Sequence, residues 1–231
     1  MTDTNYKHGV KMRNFQMLGL IFVLAGMISI TGEARELQVR VTDSDGAPLP
    51  KVVVSSQHSV PQSSSTIAVM DQVERLFAPF ILTIQPGATV KFPNSDNIRH
   101  QVYSFSPAKP FELPLYSNRE APQITFPAAG VVVLGCNIHD HMRAYIYVSP
   151  YPQSVTTDED GRAVLEVAED ASDIVLWYPG LGAEPTAAQE VTVAAEQQQL
   201  MVQLPVLRQQ QTPPPVSSLQ QRFNRLKDDV N

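Results

Sequence analysis

The chain has 231 residues, 43% of them apolar, which is enough for one large or two small domains with a real core. Its formal charge is −6 and no long basic run occurs, which argues against nucleic acid as a partner. Proline is frequent (19), glycine modest (11), and cysteine occurs once, so no disulfide can form within the chain.

At the start, Lys7, Lys11 and Arg13 precede the apolar run FQMLGLIFVLAGMISI. A basic start, a short apolar middle and the small pair Gly32 and Ala34 describe a secretory signal peptide over residues 1–34, cleaved after Ala34. The run is short for a membrane span, so the mature form is expected to have no stable span. No cysteine lies near the cleavage point to carry a lipid. Export makes the single thiol unusual: an odd cysteine in an exported protein points to an intermolecular bridge, a reactive thiol or a metal ligand.

The next segment, LQVRVTDSDGAPLPKVVVSS, reads as strand, turn, strand, with Leu37, Val39 and Val41 alternating with polar residues. A polar loop containing His58 follows. Then LFAPFILTIQPGATVKFPN, HQVYSFS, QITFPAAGVVVLGC and AYIYV give further strands separated by turn formers. VTTDEDGRAVLEV, DIVLWYPG and VTVAAEQQQLMVQLPV continue the pattern. Strands about every ten residues predict an all-β protein built of sandwiches. The stretch RQQQTPPPVSSLQQRFNRLKDDVN favours an extended, mostly mobile tail, with a possible short helix presenting Leu219, Phe223 and Leu226.

VTDSDGAPL near residue 41 has an echo in TTDEDGRAVL near residue 156. Neither copy carries the further oxygen ligands of a calcium loop, so both read as glycine-containing turns. The pair resembles the strand-turn motifs of carboxypeptidase-regulatory-like (transthyretin-like) domains. That resemblance implies one small sandwich formed from residues 35–65 and 150–205, with residues 66–149 as a second domain and 206–231 as the tail.

The residues with metal chemistry gather in LGCNIHDHMRAYIYV. Cys136, His139 and Met142 stand as Cys-x-x-His-x-x-Met, a soft thiolate, imidazole and thioether set that suits copper. A blue copper site takes two imidazoles and a thiolate, with a weak axial ligand that is often methionine. The missing imidazole is best sought at His100, in FPNSDNIRHQVYSFS, where a loop of turn formers runs into a strand. His8 falls in the signal segment, and His141 is open as a rival to Met142 or as a bystander.

On these residues the chain resembles the plastocyanin-like cupredoxins. FPNSDNIRHQV is similar to their first-histidine region, and GCNIHDHMRAYIYV to the ligand loop of the amicyanin branch. VYSFSPAKPFELPLY and LGCNIHDHM resemble methylamine-utilisation-type proteins of bacterial periplasms. The resemblance implies a cupredoxin-type Greek-key β-sandwich over residues 66–149, combined with the small transthyretin-like sandwich. It implies one type 1 copper ion held by His100, Cys136, His139 and Met142. It further implies an electron carrier, not an enzyme, that works in the periplasm with a transient redox partner, a cytochrome or a dehydrogenase. An apolar rim of Ile138, Met142, Phe111, Leu113 and Leu115 would meet that partner.

Two other functions stay open: a copper carrier or store without redox work, and a transthyretin-like binding module with a degenerate site. The sequence departs from the pattern at Gln101, where many relatives place an asparagine that ties the ligand loops together. It departs again at Ile138, where they place proline. The Ile138 amide is expected to donate a hydrogen bond to the Cys136 sulfur.

Overall fold

The computed structural model describes residues 34–57, 67–117, 121–182, 184 and 186–212, with Met1, Arg222 and Arg225 as isolated residues. Most of the expected signal segment, His8, His58 and the expected Leu219–Phe223–Leu226 face lie outside them. Between residues 34 and 212 every regular element described is a β-strand, the all-β class that the short apolar runs predict. β1 (Ala34–Thr42) and β2 (Val53–Ser56) come first. Then follow β3 (Ala68–Val69), β4 (Asp71–Val73), β5 (Leu76–Ala78), β6 (Ile81–Ile84) and β7 (Thr89–Lys91). The middle of the chain gives β8 (Tyr103–Ser104), β9 (Phe111–Glu112), β10 (Gln123–Thr125), β11 (Gly130–Gly135) and β12 (Arg143–Val148). The last are β13 (Gln153–Thr156), β14 (Arg162–Ala168), β15 (Ser172–Trp177), β16 (Ala188–Val193) and β17 (Gln199–Gln203).

The first and last strands share one core. β1 lies between antiparallel β14 and parallel β17, and β2 lies between β13 and β15, with β16 beyond β15. β1, β14 and β17 have one face in water, so they alternate strictly. Leu37, Val39, Leu165 and Val202 turn inward, while Gln38, Arg40, Glu166 and Gln203 turn outward. Ile174 and Leu176 of β15 and Val54 of β2 close the same core from the other sheet.

The strands between β2 and β13 build a second core. A sheet ordered β10-β7-β3 faces a five-stranded sheet ordered β6-β12-β11-β8-β9, with the hairpin β4–β5 beside them. Met70, Phe77, Phe92, Val102, Phe126 and Leu134 fill the space between. β12 belongs to both cores. Ala144, Ile146 and Val148 point into the second, and Tyr145 and Tyr147 into the first. This two-sided burial explains why AYIYV is an unbroken apolar run where a half-buried strand would alternate. Trp177 of β15 meets these tyrosines, stacked on Tyr147 at 4.9 Å and edge-on to Tyr145 at 5.9 Å.

Both Asp-x-Asp-Gly segments are turns of one design. Asp43 Oδ1 accepts from the Asp45 and Ala47 amides at 3.0 and 2.9 Å, and Asp158 Oδ1 from the Asp160 and Arg162 amides at 2.9 and 2.8 Å. Gly46 and Gly161 follow at φ of 81° and 72°. They differ in crowding: a Cβ on Gly161 would lie 2.3 Å from the Val41 carbonyl oxygen, whereas one on Gly46 would meet nothing within 4 Å. Gly161→Ala is therefore expected to cost about 2–3 kcal/mol and Gly46→Ala about 1 kcal/mol. Urea unfolding midpoints of the two variants read this difference, and equal losses would remove the steric argument.

The beginning of the segment read as a tail is pinned. The Gln209 amide donates to Tyr178 Oη at 2.8 Å, and its side-chain nitrogen donates to the Pro179 carbonyl at 2.8 Å. Two residues on, the Gln211 side chain bonds both the amide and the carbonyl of Phe77, at 3.0 and 2.6 Å. One short stretch thereby touches Tyr178 of the first core and the hairpin beside the second.

Candidate metal centre

The loop 136–142 joins β11 to β12, whose last ladder pair is Gly135 with Arg143. Cys136 follows the ladder directly, so a rigid hairpin fixes its backbone. The amide of Met142 donates to the His139 carbonyl at 2.9 Å and closes the loop. Gly135 also pairs with Tyr103 of β8, whose ring lies so close that a Cβ on Gly135 would sit 2.7 Å from it. That pairing draws the residues before Tyr103 alongside Cys136. His100 is held there by two backbone bonds to Tyr116, at 3.1 and 3.0 Å.

Three side chains from these two loops converge. Cys136 Sγ lies 4.0 Å from His100 Nδ1 and 3.8 Å from His139 Nδ1, and the three donor atoms all fall within 4.8 Å of one another. Cys136 and His100 are buried, and His139 is half-buried. Nitrogen and sulfur ligands stand about 2.0 and 2.3 Å from a first-row divalent ion, which separates them by about 3.7 Å in a trigonal plane. The observed spacings match that figure, so the group fits a single metal ion, and two imidazoles with one thiolate suit copper.

The tautomer of His100 is set by Asp96. His100 Nε2–H donates to Asp96 Oδ2 at 2.7 Å, which leaves the Nδ1 lone pair facing the sulfur. The Asp96 carboxylate also accepts from the Glu74 and Arg75 amides at 2.7 and 2.9 Å. Burial pushes its pKa up, but the bonds from the Arg75 amide, His100 and the Glu74 amide outweigh burial and hold it below the ordinary carboxylate range. Asn94 shapes the loop between: its Oδ1 accepts from the Asp96 amide, and its Nδ2 donates to the Ile98 and Tyr116 carbonyls. His139 is held below the usual histidine range by burial first, then by His100, His141 and Arg75, with Asp96 opposing. A depressed pKa favours the neutral ring, the form of imidazole that can ligate a metal.

Met142 is buried, 1% exposed, and lines the same cleft as Cys136, together with Tyr103, Phe105 and Arg143. His141 is not part of the converging group: its Nε2 donates to the Arg75 carbonyl at 3.0 Å. One expectation, the bond from the Ile138 amide, is corrected. Among the described residues no amide donates to the Cys136 sulfur; Ile138 sits on the outer side of the loop, 49% exposed, and the loop is closed by the Met142 amide instead. Gln101 does not tie the two loops, because its Nε2 donates to Glu112 Oε1 of β9 at 2.7 Å. The expected apolar rim is also partly inward: Ile138 and Leu115 are exposed, whereas Leu113 and Met142 are buried in the second core. Phe105, 79% exposed, was not anticipated. Asp96 was not singled out either; its only local signal is its place in the loop of turn formers before His100.

No protein-family model matches the chain, and no curated protein does. Solved structures are similar over part of it. A proline-to-glycine mutant of amicyanin, in its reduced Cu(I) form, is 21% identical over 43% of this chain and 99% of its own, with a TM-score of 0.34. An oxidised proline-to-alanine mutant of amicyanin has the same identity and coverage at a TM-score of 0.35. A Cu-containing nitrite reductase from Thermus scotoductus is 25% identical over 47% of this chain and 28% of its own, with a TM-score of 0.35. Among the described residues, no helix is long and apolar enough to cross a membrane.

Proposed function

We infer that this chain is a single-electron carrier that holds one copper ion through His100 Nδ1, Cys136 Sγ and His139 Nδ1, with Met142 as a weak fourth ligand. The observation that carries this reading is the spacing of the three donors, 3.8–4.0 Å from sulfur to each nitrogen. Bound copper would supply the one-electron couple between Cu(I) and Cu(II). The protein's part is to hold the donors still. β11 and β12 fix both ends of the Cys136 loop, and the Tyr116 pairing and Asp96 fix His100 in position and tautomer. Burial of Cys136 and His100 keeps water from the donors. His139 alone of the three reaches the surface, so its ring edge is where a redox partner would make contact. Exposed Ile138, the residue before His139, and exposed Leu115, the residue before Tyr116, would offer apolar surface for a brief encounter.

The basic and apolar start of the chain supports export to the periplasm through a cleaved leader. There a cytochrome or a dehydrogenase would be the transient redox partner. The two Asp-x-Asp-Gly turns support the transthyretin-like reading of the flanking sandwich.

The test is the visible spectrum of copper-loaded protein beside that of Cys136→Ser. An intense thiolate-to-copper absorption is expected in the wild type and should vanish in the variant. A colourless protein that retains only Cu(I) would point to storage or delivery. A wild-type protein that retains no copper would overturn both.

A further inference from the structure

The turn of the hairpin β4–β5 has a conformation that its own residues do not favour. Glu74 and Arg75 stand at φ of 53° and 62°. Two successive left-handed residues make the tight turn that suits a hairpin, but that turn normally uses Asn-Gly. Left-handed backbone is unfavourable for a residue with a Cβ, which crowds the neighbouring carbonyl oxygen. Such strain persists where the surroundings over-determine it.

On one side the surroundings are the loop before His100. Asp96 takes the Glu74 amide on Oδ1 and the Arg75 amide on Oδ2. Ser95 reinforces the grip: its amide donates to the Gln72 carbonyl at 3.0 Å and its hydroxyl to Asp71 Oδ2 at 2.7 Å. On the other side is the loop 136–142, where His141 Nε2–H donates to the Arg75 carbonyl. Among the described residues, that is the hairpin's only hydrogen bond to this loop. Gln101, the residue after His100, is engaged with Glu112.

We propose that the Glu74–Arg75 turn staples the two donor-bearing loops together, with Asp96 and His141 as positioning residues that hold it from opposite sides. The His100 donor is thereby coupled to the Cys136 and His139 donors through the backbone of Arg75. The consequence for metal retention rests on the copper reading above, but the hydrogen bonds themselves belong to the metal-free protein. They can be tested there.

The experiment compares the wild type, His141→Leu and His141→Gln. Gln keeps an N–H near the position of Nε2; Leu keeps bulk but no donor. In metal-free protein, amide hydrogen exchange of Glu74 and Arg75 is expected to be about tenfold faster in His141→Leu and near wild type in His141→Gln. In copper-loaded protein, copper release to a chelator should be about tenfold faster in His141→Leu and restored in His141→Gln. Unchanged exchange in His141→Leu would overturn the staple whether or not copper binds. Faster exchange in a protein that holds no copper would uphold the staple and remove only the copper reading. Faster exchange with unaltered copper release would overturn the positioning role.

Discussion

Asp96→Ala is expected to weaken copper retention by about ten- to a hundredfold, the usual cost of removing an outer partner of a ligating histidine. The substitution leaves three donors without their acceptor: Nε2–H of fully buried His100 and the amides of Glu74 and Arg75. With Asp96 gone, nothing selects the Nε2–H tautomer of His100, and Nδ1 no longer reliably presents a lone pair to the sulfur side. The loss of a negative charge beside the ligand should also destabilise the more highly charged Cu(II) state and raise the reduction potential. Asp96→Asn keeps an acceptor but not the charge, so it should fall between the two in affinity. Chelator competition gives the affinity, and a redox titration gives the direction of the potential. Wild-type affinity in Asp96→Ala would show that the ring of His100 is held by its neighbours alone.

Trp177→Ala is expected to be the most damaging single change to the fold, at about 3–5 kcal/mol for truncating a buried aromatic side chain. Trp177 is 1% exposed and packs on two tyrosines of β12, the strand that leaves the donor loop and faces both cores. Removing the indole leaves a cavity where the sandwich of β1, β2 and β13–β17 meets the five-stranded sheet. For a protein of this size each kcal/mol lowers Tm by about 2–4 °C, so a drop of roughly 10 °C is expected. Trp177→Phe, which retains a ring for Tyr147 to stack on, should lose less than half as much. Thermal melts followed by circular dichroism decide it. A drop below about 3 °C would mean the two cores hold without this contact.

Legibility in the sequence followed the physics of each element. β1, β14 and β17 were readable because water on one face imposes alternation on Leu37, Val39, Leu165 and Val202. AYIYV was readable as a strand but not as a shared wall, since burial on two faces erases the period that would assign it to either core. β3, β8 and β9 are two residues long and carry no periodicity; pairing with their neighbours defines them. At the site, Cys136 and His139 stood out by residue type and spacing, and His100 by its position before a strand. Asp96 could not, because its role depends on which ring nitrogen faces the sulfur. Arg75 was wholly hidden, since its amide and carbonyl make the contacts. The same geometry defeated the expectation for the Ile138 amide: where an N–H points within a loop is not written in residue identity.

The Gln211 contact has a meaning for the molecule in company with its own kind. β5 pairs with β4 along one side, and a strand with an open second side is a template on which another polypeptide can add. Gln211 occupies that side at Phe77, its amide nitrogen and oxygen standing in for the peptide groups of an incoming strand. A single side chain thus covers the open side of β5, a strand of the same hairpin whose turn meets Asp96 and His141.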